Sequence, residues 1–523
     1  MQPKAFHFRT SRLLILAAIV GWALRSASAQ LTAADVQTVV NQAAARAAQI
    51  SPASVIAVTD REGFVIGVWS VRGGEPTDQE VATAVSKAGT ASFLSSNQNA
   101  FTTRTAGFII QNHFPPGVRN TSPGPLVGVG LSNLFFSDIN KFKAPGSVTT
   151  FSAHPGSTIV PVPFTSLDGS PGGVPLYKNG QLVGGVGVTG DGVPGPFANI
   201  RAENPFTFIG GYDKDEDVAL AGQRGYRPSS SITADNVYIN GIALEYTESG
   251  TSESGARALT GNVSARYPIT GAPPSFAYPV ATFGGVTGQV RQPIIADPLP
   301  GTINGQPRLS AAEVTRIINF AADRARTTRA GIRLPIGEPM QCFITVVNFP
   351  NQPNTAPTVL GAFRTGEATL FSWDVAVQKA RTSVAFSDTS NRTALSTRAV
   401  SFLAQDHYPP GLDVQDPGPF YGLQELFSGV PLRNGSSAGT PLVPTPDSRL
   451  PNGITIFPGG FPLYRNGQLV GAIGISGDGV DQDDIVGASG THDFLAPDAI
   501  RSDQFEYLGA RLPYAKFPRD PEL

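Results

Sequence analysis

Two histidines occur in nearly the same local sequence at two places in the chain. His113 lies in the segment Gln111-Asn-His-Phe-Pro-Pro-Gly117, and His407 lies in Gln405-Asp-His-Tyr-Pro-Pro-Gly411. A neutral imidazole can bind a metal ion, so both histidines are candidate ligands. The double proline ends the preceding helix, so the imidazole could instead anchor this turn through a backbone hydrogen bond. The sequence leaves both interpretations open.

Cationic residues recur at equivalent positions near these histidines. Lys87 and Lys379 lie on a predicted helix, each followed by alanine, and Arg104 and Arg398 each follow a threonine on the next one. Arginine can bind a carboxylate through two parallel hydrogen bonds, so these groups are candidates for holding an anionic ligand. Taken singly, each could equally be a surface or capping charge.

The sequence contains two copies of one module. Residues 178–192 return as residues 465–479 with only Lys/Arg, Gly/Ala, Val/Ile and Thr/Ser exchanges, so comparing the copies shows which features belong to the module. Residues 185–190 formally match a Gly-x-Gly-x-x-Gly dinucleotide fingerprint. They lie in a predicted hairpin strand, however, and the second copy has Ala472 at the first glycine. Close backbone packing therefore explains these glycines better than nucleotide binding.

Composition and the N-terminus set the class of protein. Charged residues make up 15% of the 523 residues and the net charge is −2, which argues against a nucleic-acid partner. Basic residues precede the apolar run 13–24, which is followed by Ala27-Ser-Ala29, the pattern of a cleaved secretory signal. No other run approaches transmembrane length. We therefore expect an exported protein, periplasmic or extracellular, with no transmembrane segment. Its single cysteine, Cys342, is expected to be buried.

The order of elements in each copy is helix, hairpin, helices, hairpin, helix. Short strands joined as hairpins predict a largely antiparallel sheet covered by helices, which is an α+β fold. The predicted boundaries are a signal peptide at 1–29, a first module at 30–248, a Gly/Pro-rich connecting segment at 249–307, a second module at 308–515 and a tail at 516–523.

Both copies resemble the GlcG/HbpS family of haem-binding proteins. The resemblance is carried by Asp60, Arg72, Lys87, 172–175 and 183–190 in the first copy, and by Asn348, Arg364, Lys379, 459–462 and 470–477 in the second. It implies tandem profilin-like modules, self-association, and binding of haem or a related tetrapyrrole. The second copy departs from the family pattern at Asn348 and in an enlarged turn after it.

The resemblance implies that the repeated residues bind haem. Each copy is expected to bind one haem non-covalently, with the iron on His113 or His407, Phe114 or Tyr408 in the apolar wall, and Arg104 or Arg398 near the propionates. Lys87 and Lys379 are further candidates for the propionates. The expected function is carriage, storage or sensing of haem.

The alternative to haem binding is a non-catalytic interaction module that self-assembles or partners an exported redox protein. No nucleophile–His–acid order recurs in both copies, so enzymatic activity ranks last. We further expect the two copies to pack on each other about a pseudo-two-fold axis, as a homodimer would.

Overall fold

The computed structural model describes residues 29–111, 113–127, 142–147, 160–191, 210–250, 261–274, 278–388, 392–423 and 449–516. The predicted signal peptide lies outside these residues except for Ala29, and so does the predicted tail after Lys516. No helix among the residues described is long and apolar enough to cross a membrane.

Eight α-helices lie in these ranges. They are α1 (Ala33–Ile50), α2 (Asp78–Leu94), α3 (Thr103–Ile109), α4 (Lys214–Gly222), α5 (Ala311–Thr327), α6 (Phe371–Ala385), α7 (Thr397–Leu403) and α8 (Val480–Gly490).

The first copy and the residues that follow it contribute seven strands. They are β1 (Val55–Asp60), β2 (Val65–Ser70), β3 (Gly173–Lys178), β4 (Gln181–Thr189), β5 (Tyr238–Ile239), β6 (Ile242–Ala243) and β7 (Asn262–Val263). The rest of the chain contributes β8 (Val280–Phe283), β9 (Val286–Gln292), β10 (Thr302–Ile303), β11 (Gln306–Pro307), β12 (Cys342–Asn348), β13 (Val359–Thr365), β14 (Gly460–Arg465), β15 (Gln468–Gly477), β16 (Glu506–Tyr507) and β17 (Ala510–Arg511).

Each module is built on one antiparallel sheet. The first has the strand order β3-β4-β1-β2-β7, and the second has the order β14-β15-β12-β13-β9-β8. The first four strands in each order are equivalent, and all their pairings are antiparallel. The predicted α+β fold class, with antiparallel sheets flanked by helices, is confirmed.

Local sequence signals set the ends of these elements. Thr32 and Asp35 form a capping box at the start of α1, and Ser310 and Glu313 form the same box at α5. Asn179 and Asn466 open the hairpin turns with positive φ, and a glycine with positive φ follows each, as a type I′ turn requires. Both kinds of signal occur in each copy.

Helices cover both faces of each sheet. In β1, Ile56 and Val58 pack towards α1, whereas Val55 and Ala57 join the cluster formed with α2. This division follows from the two-residue period of a strand. Every side of α2 from Val81 to Leu94, and of its counterpart α6 from Phe371 to Val384, is buried, because one face of each lies on its own sheet and the rest is covered by other parts of the molecule.

The two modules pack directly on each other. The core cluster around α2 also contains Ile332, Phe371 and Phe457 of the second module. Arg333 is buried and donates to the carbonyls of Leu94 and Ser95 across the interface, at 2.9 and 2.6 Å. Mutual contact between the copies is thus present as predicted.

The predicted connecting segment contributes regular structure to both sheets. Strand β7 pairs with β2 at the edge of the first sheet, and β9 pairs with β13 in the second. Glycine and proline content suggested an irregular linker. These strands join the sheets through backbone hydrogen bonds, which do not require alternating apolar side chains, so composition alone did not reveal them.

Candidate functional site

The two histidine loops are built alike. Each histidine follows a short helix, α3 or α7, whose end is held by a glutamine side chain: Gln111 donates to the carbonyl of Gly107, and Gln405 donates to the carbonyl of Ser401. The peptide bond after the aromatic residue is cis in both loops. The sequence repeat therefore produces a structural repeat.

The loops bring His113 and His407 together. Their ring centroids are 6.4 Å apart and the rings are inclined by only 18°. Arg119 and Asp413 each lie six residues after the histidine of their own copy. They contact each other, with Nε of Arg119 and Oδ2 of Asp413 3.4 Å apart. In both contacts a residue meets its own counterpart, which is typical of a two-fold arrangement and agrees with the predicted packing.

Hydrogen bonds orient both imidazoles. The Nδ1 atom of His113 lies 2.7 Å from the carbonyl oxygen of Thr121, and Nδ1 of His407 lies 3.1 Å from that of Gln415. Because a carbonyl only accepts, each Nδ1 carries the proton. The Nε2 atom is then the one left for another partner. The anchoring role considered for these histidines is present, and it involves one nitrogen of each ring.

Asp413 completes this group. Its Oδ1 atom lies 2.7 Å from Nε2 of His113, and its carboxylate also accepts from the backbone N–H of Asn120 at 3.2 Å. One ligand atom from each of His113, His407 and Asp413 lies within 4.8 Å of the other two. Since both histidines converge on one place, this arrangement does not separate them into two haem sites. Axial ligation of one haem per module stays a prediction.

The repeated lysines form buried ion pairs. Lys87 and Asp215 are both fully buried, with Nζ and Oδ2 3.0 Å apart, and Lys379 lies 2.7 Å from Asp483. Burial alone would lower the pKa of Lys87, but Asp215 and nearby carboxylates raise it above its ordinary value. Burial raises the pKa of Asp483 to about 6 against the opposing effect of Lys379. These lysines link α2 and α6 to the helices that follow the second hairpin, α4 and α8.

The repeated arginines are held in the same way. Arg104 is fully buried and binds both carboxylate oxygens of Glu216, at 2.8 and 2.9 Å. Arg398 binds Asp484 and Asp481, both at 2.7 Å. Their binding of haem propionates is untested, and in this structure both guanidinium groups already hold protein carboxylates.

The aromatic residues after the histidines belong to the core. Phe114 packs edge-on against Phe108, with ring centroids 5.6 Å apart, and Tyr408 packs edge-on against Phe402 at 5.4 Å. Both side chains are buried. They anchor the histidine loops to α3 and α7.

The Gly-x-Gly-x-x-Gly segment has a structural role. A Cβ atom on Gly185 or Gly187 would stand 2.2 or 2.1 Å from the carbonyl oxygen of Ala88 or Ala84 on α2. Glycine at these positions lets α2 lie directly on β4. Close packing, the interpretation that the sequence favoured, is confirmed.

An open cleft of about 550 Å³ lies in the second module, between the turn after β12 and the end of α6. Its apolar wall includes Phe349, Val384, Phe386 and Leu450, and two arginines, Arg381 and Arg449, also line it. The described lining contains no aspartate or glutamate. Such a cleft suits an apolar ligand that carries negative charge.

The first module has different residues at this place. Gly89 is the counterpart of Arg381, two residues after the repeated lysine, and a Cβ atom there would collide with the ring of Phe142 at 1.7 Å. Phe142 thus packs where the second module has an arginine side chain. The enlarged turn at 350–357 borders the cleft, so the departure from the first copy that the sequence showed creates it.

A second cleft, of about 620 Å³, lies between the modules. Its described lining includes Arg398, which the sequence suggested as a haem-binding residue. The described lining of the cleft in the second module includes none of the residues suggested in this way. Asp481 also lines it and pairs with Arg398. This carboxylate makes the cleft less suited to an anionic ligand.

Comparison of the copies missed three residues of these sites. Asp413 has Arg119 as its counterpart, and Arg381 has Gly89, so neither recurs. Arg449 lies beyond the shared motifs. The signal for Arg381 was present in the sequence as an extra cation in an otherwise repeated Lys-Ala-x-Thr segment.

The chain thus contains two modules, each built on an antiparallel sheet flanked by helices, with an open cleft in the second module. Residues 354–492 match the model of a family described as haem degrading protein HbpS-like. This match confirms the resemblance read from the sequence over these residues of the second module. The match does not extend to the first module.

Solved structures give weak overall similarity. The PduOC–haem complex is 22% identical, with 36% of this chain and 98% of that chain covered and a TM-score of 0.23. Protein ORFY from Klebsiella pneumoniae is 19% identical, with 38% and 96% covered and a TM-score of 0.23. A double mutant of HbpS from Streptomyces reticuli is 19% identical, with 42% and 98% covered and a TM-score of 0.22. None of the curated proteins compared with the chain matches it.

Proposed function

We propose that the protein binds haem, or a closely related dianionic tetrapyrrole, in the cleft of its second module. The observation that carries this proposal is the position of the cleft: most of its lining lies inside residues 354–492, the segment that matches the HbpS-like family. We further propose that it carries or stores the ligand outside the cytoplasm, on the strength of the signal sequence at residues 1–29.

The chemistry of the lining fits the macrocycle and its two propionates. Phe349, Phe386 and Leu450 offer an apolar surface to a flat ring. Arg381 is buried and donates to the carbonyl of Pro357 and the amide oxygen of Asn452, so its guanidinium is held in a fixed position. Arg449 lies at the exposed rim. Guanidinium groups at these two positions would form charge-assisted hydrogen bonds with carboxylates.

The same lining favours binding over catalysis. Its described residues include no histidine, cysteine, methionine, tyrosine or lysine. These residue types are the usual ligands of haem iron, and they include common proton donors in catalysis. Haem degradation is the activity named for the matching family; for this chain we propose retention of intact haem.

Haemin titration followed by the Soret band tests the proposal. We expect Ala385→Trp to abolish binding, because Ala385 is exposed, lines the cleft and sits at the end of α6, where a large ring can fill the space without entering the core. Arg449→Gln should weaken binding about tenfold, or ~1.4 kcal/mol, through loss of one charged contact.

Two matched substitutions serve as controls. Ala312→Trp places the same ring on an exposed position of α5, and Arg326→Gln removes an arginine whose side chain is 53% exposed. Both should bind haemin like the wild type. A wild-type protein that does not bind haemin would reject the proposed function and leave the interaction module as the better account. Haemin binding that is unchanged in Ala385→Trp would place the ligand elsewhere.

A further inference from the structure

We propose that His113, His407 and Asp413 bind one divalent transition-metal ion at the contact between the two modules. The site is separate from the haem cleft, and its residues belong to both copies. The proposal does not depend on haem binding.

The donor atoms are close to a coordinating arrangement. Tetrahedral ligands with bonds of ~2.0 Å lie ~3.3 Å from one another. Here Nε2 of His113 and Oδ1 of Asp413 are 2.7 Å apart, and the three donor atoms are all within 4.8 Å of one another. Shifts of about 1 Å at the side-chain ends would bring the donor atoms to ligand spacing.

The hydrogen bonds behind the rings fit a metal site. A histidine that binds a metal usually donates its other ring N–H to a carbonyl or carboxylate, which fixes the ring and selects the ligating nitrogen. Both histidines have this partner, the carbonyl eight residues further along the chain: Thr121 for His113 and Gln415 for His407. Each Nε2 is thereby left to point away from its own loop.

Charge and access also suit a cation. His113 and Asp413 have side chains only 3% and 9% exposed, whereas His407 is 28% exposed and leaves a route from solvent. A second carboxylate, Asp406, lies 3.9 Å from Nε2 of His407 and adds negative charge. Arg119 contacts Asp413 from the outside, and its side chain is 70% exposed, so it can turn into solvent when the carboxylate binds an ion.

The donor set indicates the class of metal. Two imidazoles and one carboxylate are typical ligands for Zn²⁺ and other divalent first-row ions, and they leave one position open for water. Hard ions such as Mg²⁺ and Ca²⁺ prefer oxygen ligands throughout. The ion would join the two modules, since it takes one histidine from each.

Metal titration of the haem-free full-length protein, first treated with a chelator, tests this site. We expect one Co²⁺ per chain with the visible absorption of a tetrahedral nitrogen–oxygen site, and competition by one Zn²⁺ but not by Mg²⁺. The variants His407→Gln and Asp413→Asn should each weaken Co²⁺ binding at least tenfold. Both replacements keep polar side chains of similar size on loop positions, and their far-UV spectra should match that of the wild type.

His492→Gln is the matched control, because His492 is exposed and has no counterpart in the first copy. It should bind Co²⁺ like the wild type. Failure of the wild-type protein to bind Co²⁺ or Zn²⁺ saturably would overturn the proposal, and so would unchanged binding in His407→Gln and Asp413→Asn. Because the haem cleft is intact in these variants, haemin binding should persist in them, which separates the two proposals.

Discussion

Lys87, a candidate ligand-binding cation in the sequence, forms a buried ion pair in the fold. Its ammonium lies against Asp215 with both side chains fully buried. Breaking such a pair by removing one partner leaves an uncompensated buried charge, which is far more costly than losing an exposed pair. Sequence comparison found the lysine in both copies but gave no information about its acidic partner 128 residues away.

We predict that Lys87→Met lowers the free energy of unfolding by about 3–5 kcal/mol, because it leaves the Asp215 carboxylate buried without its ammonium partner. Urea denaturation measures this change. Arg326→Met, which breaks the exposed pair with Asp323, should cost no more than about 0.5 kcal/mol. Equal small effects in both variants would mean that the buried pair is not needed.

Asp478 gives a prediction about pH. This aspartate of the repeated Gly-Asp-Gly segment accepts from the backbone N–H of Arg333 at 2.7 Å. Burial raises its pKa to about 7, although the Arg333 side chain opposes the shift. An unfolded aspartate titrates near ~3.9, so between these values the native state binds more protons than the unfolded state. Its contribution to stability must therefore fall as the pH rises from about 4 to about 7.

We expect Asp478→Asn to reduce the loss of thermal stability between pH 4 and pH 7. The asparagine side chain keeps the oxygen that accepts from Arg333 and does not ionise. Thermal unfolding of both proteins across this pH range measures the difference. Because burial also raises the pKa of Asp60 to about 7, part of the wild-type slope should remain. A slope identical in the two proteins would contradict the assignment to Asp478.

At the scale of elements, glycine positions decide how closely helices approach the sheets. We predict that Gly187→Ala destabilises the protein by about 1–3 kcal/mol or more, because its Cβ would lie 2.1 Å from a backbone carbonyl of α2. Chemical denaturation measures the effect. Gly250→Ala is the control, since a Cβ there meets nothing within 4 Å. An unaffected Gly187→Ala protein would show that α2 can move off β4 at little cost.

Sequence patterns predicted the elements better than their contacts. Caps such as Thr32 with Asp35, and the Asn-Gly turns, are local signals whose partners lie within a few residues, so they can be read directly. Strands β7 and β9 depend on a neighbour far along the chain. The cleft beside Arg381 depends on how the residues around it pack, and at the equivalent place in the first module Phe142 fills the space. Neither has a local pattern.

At the scale of the whole molecule, the two copies differ at the cleft that we propose for haem. The modules share sheet order, buried lysine pairs and histidine loops, and the histidine loops meet between them. The cleft that we propose for haem lies where the copies differ, at Arg381 and the enlarged turn. Comparison of the copies was therefore informative about the fold, but it gave no weight to these residues, because they do not recur.

This asymmetry changes the expected number of haem molecules. A site in each copy, with iron on His113 and on His407, would give two per chain. Among the residues described, the cleft of the second module is lined by two arginines and by no acidic residue. It also brings the two histidines together at a single point.

Native mass spectrometry of the protein incubated with haemin tests this account most directly. We predict one haem per chain in the wild type and none in Ala385→Trp. Two haems per chain, or none in the wild type, would contradict it.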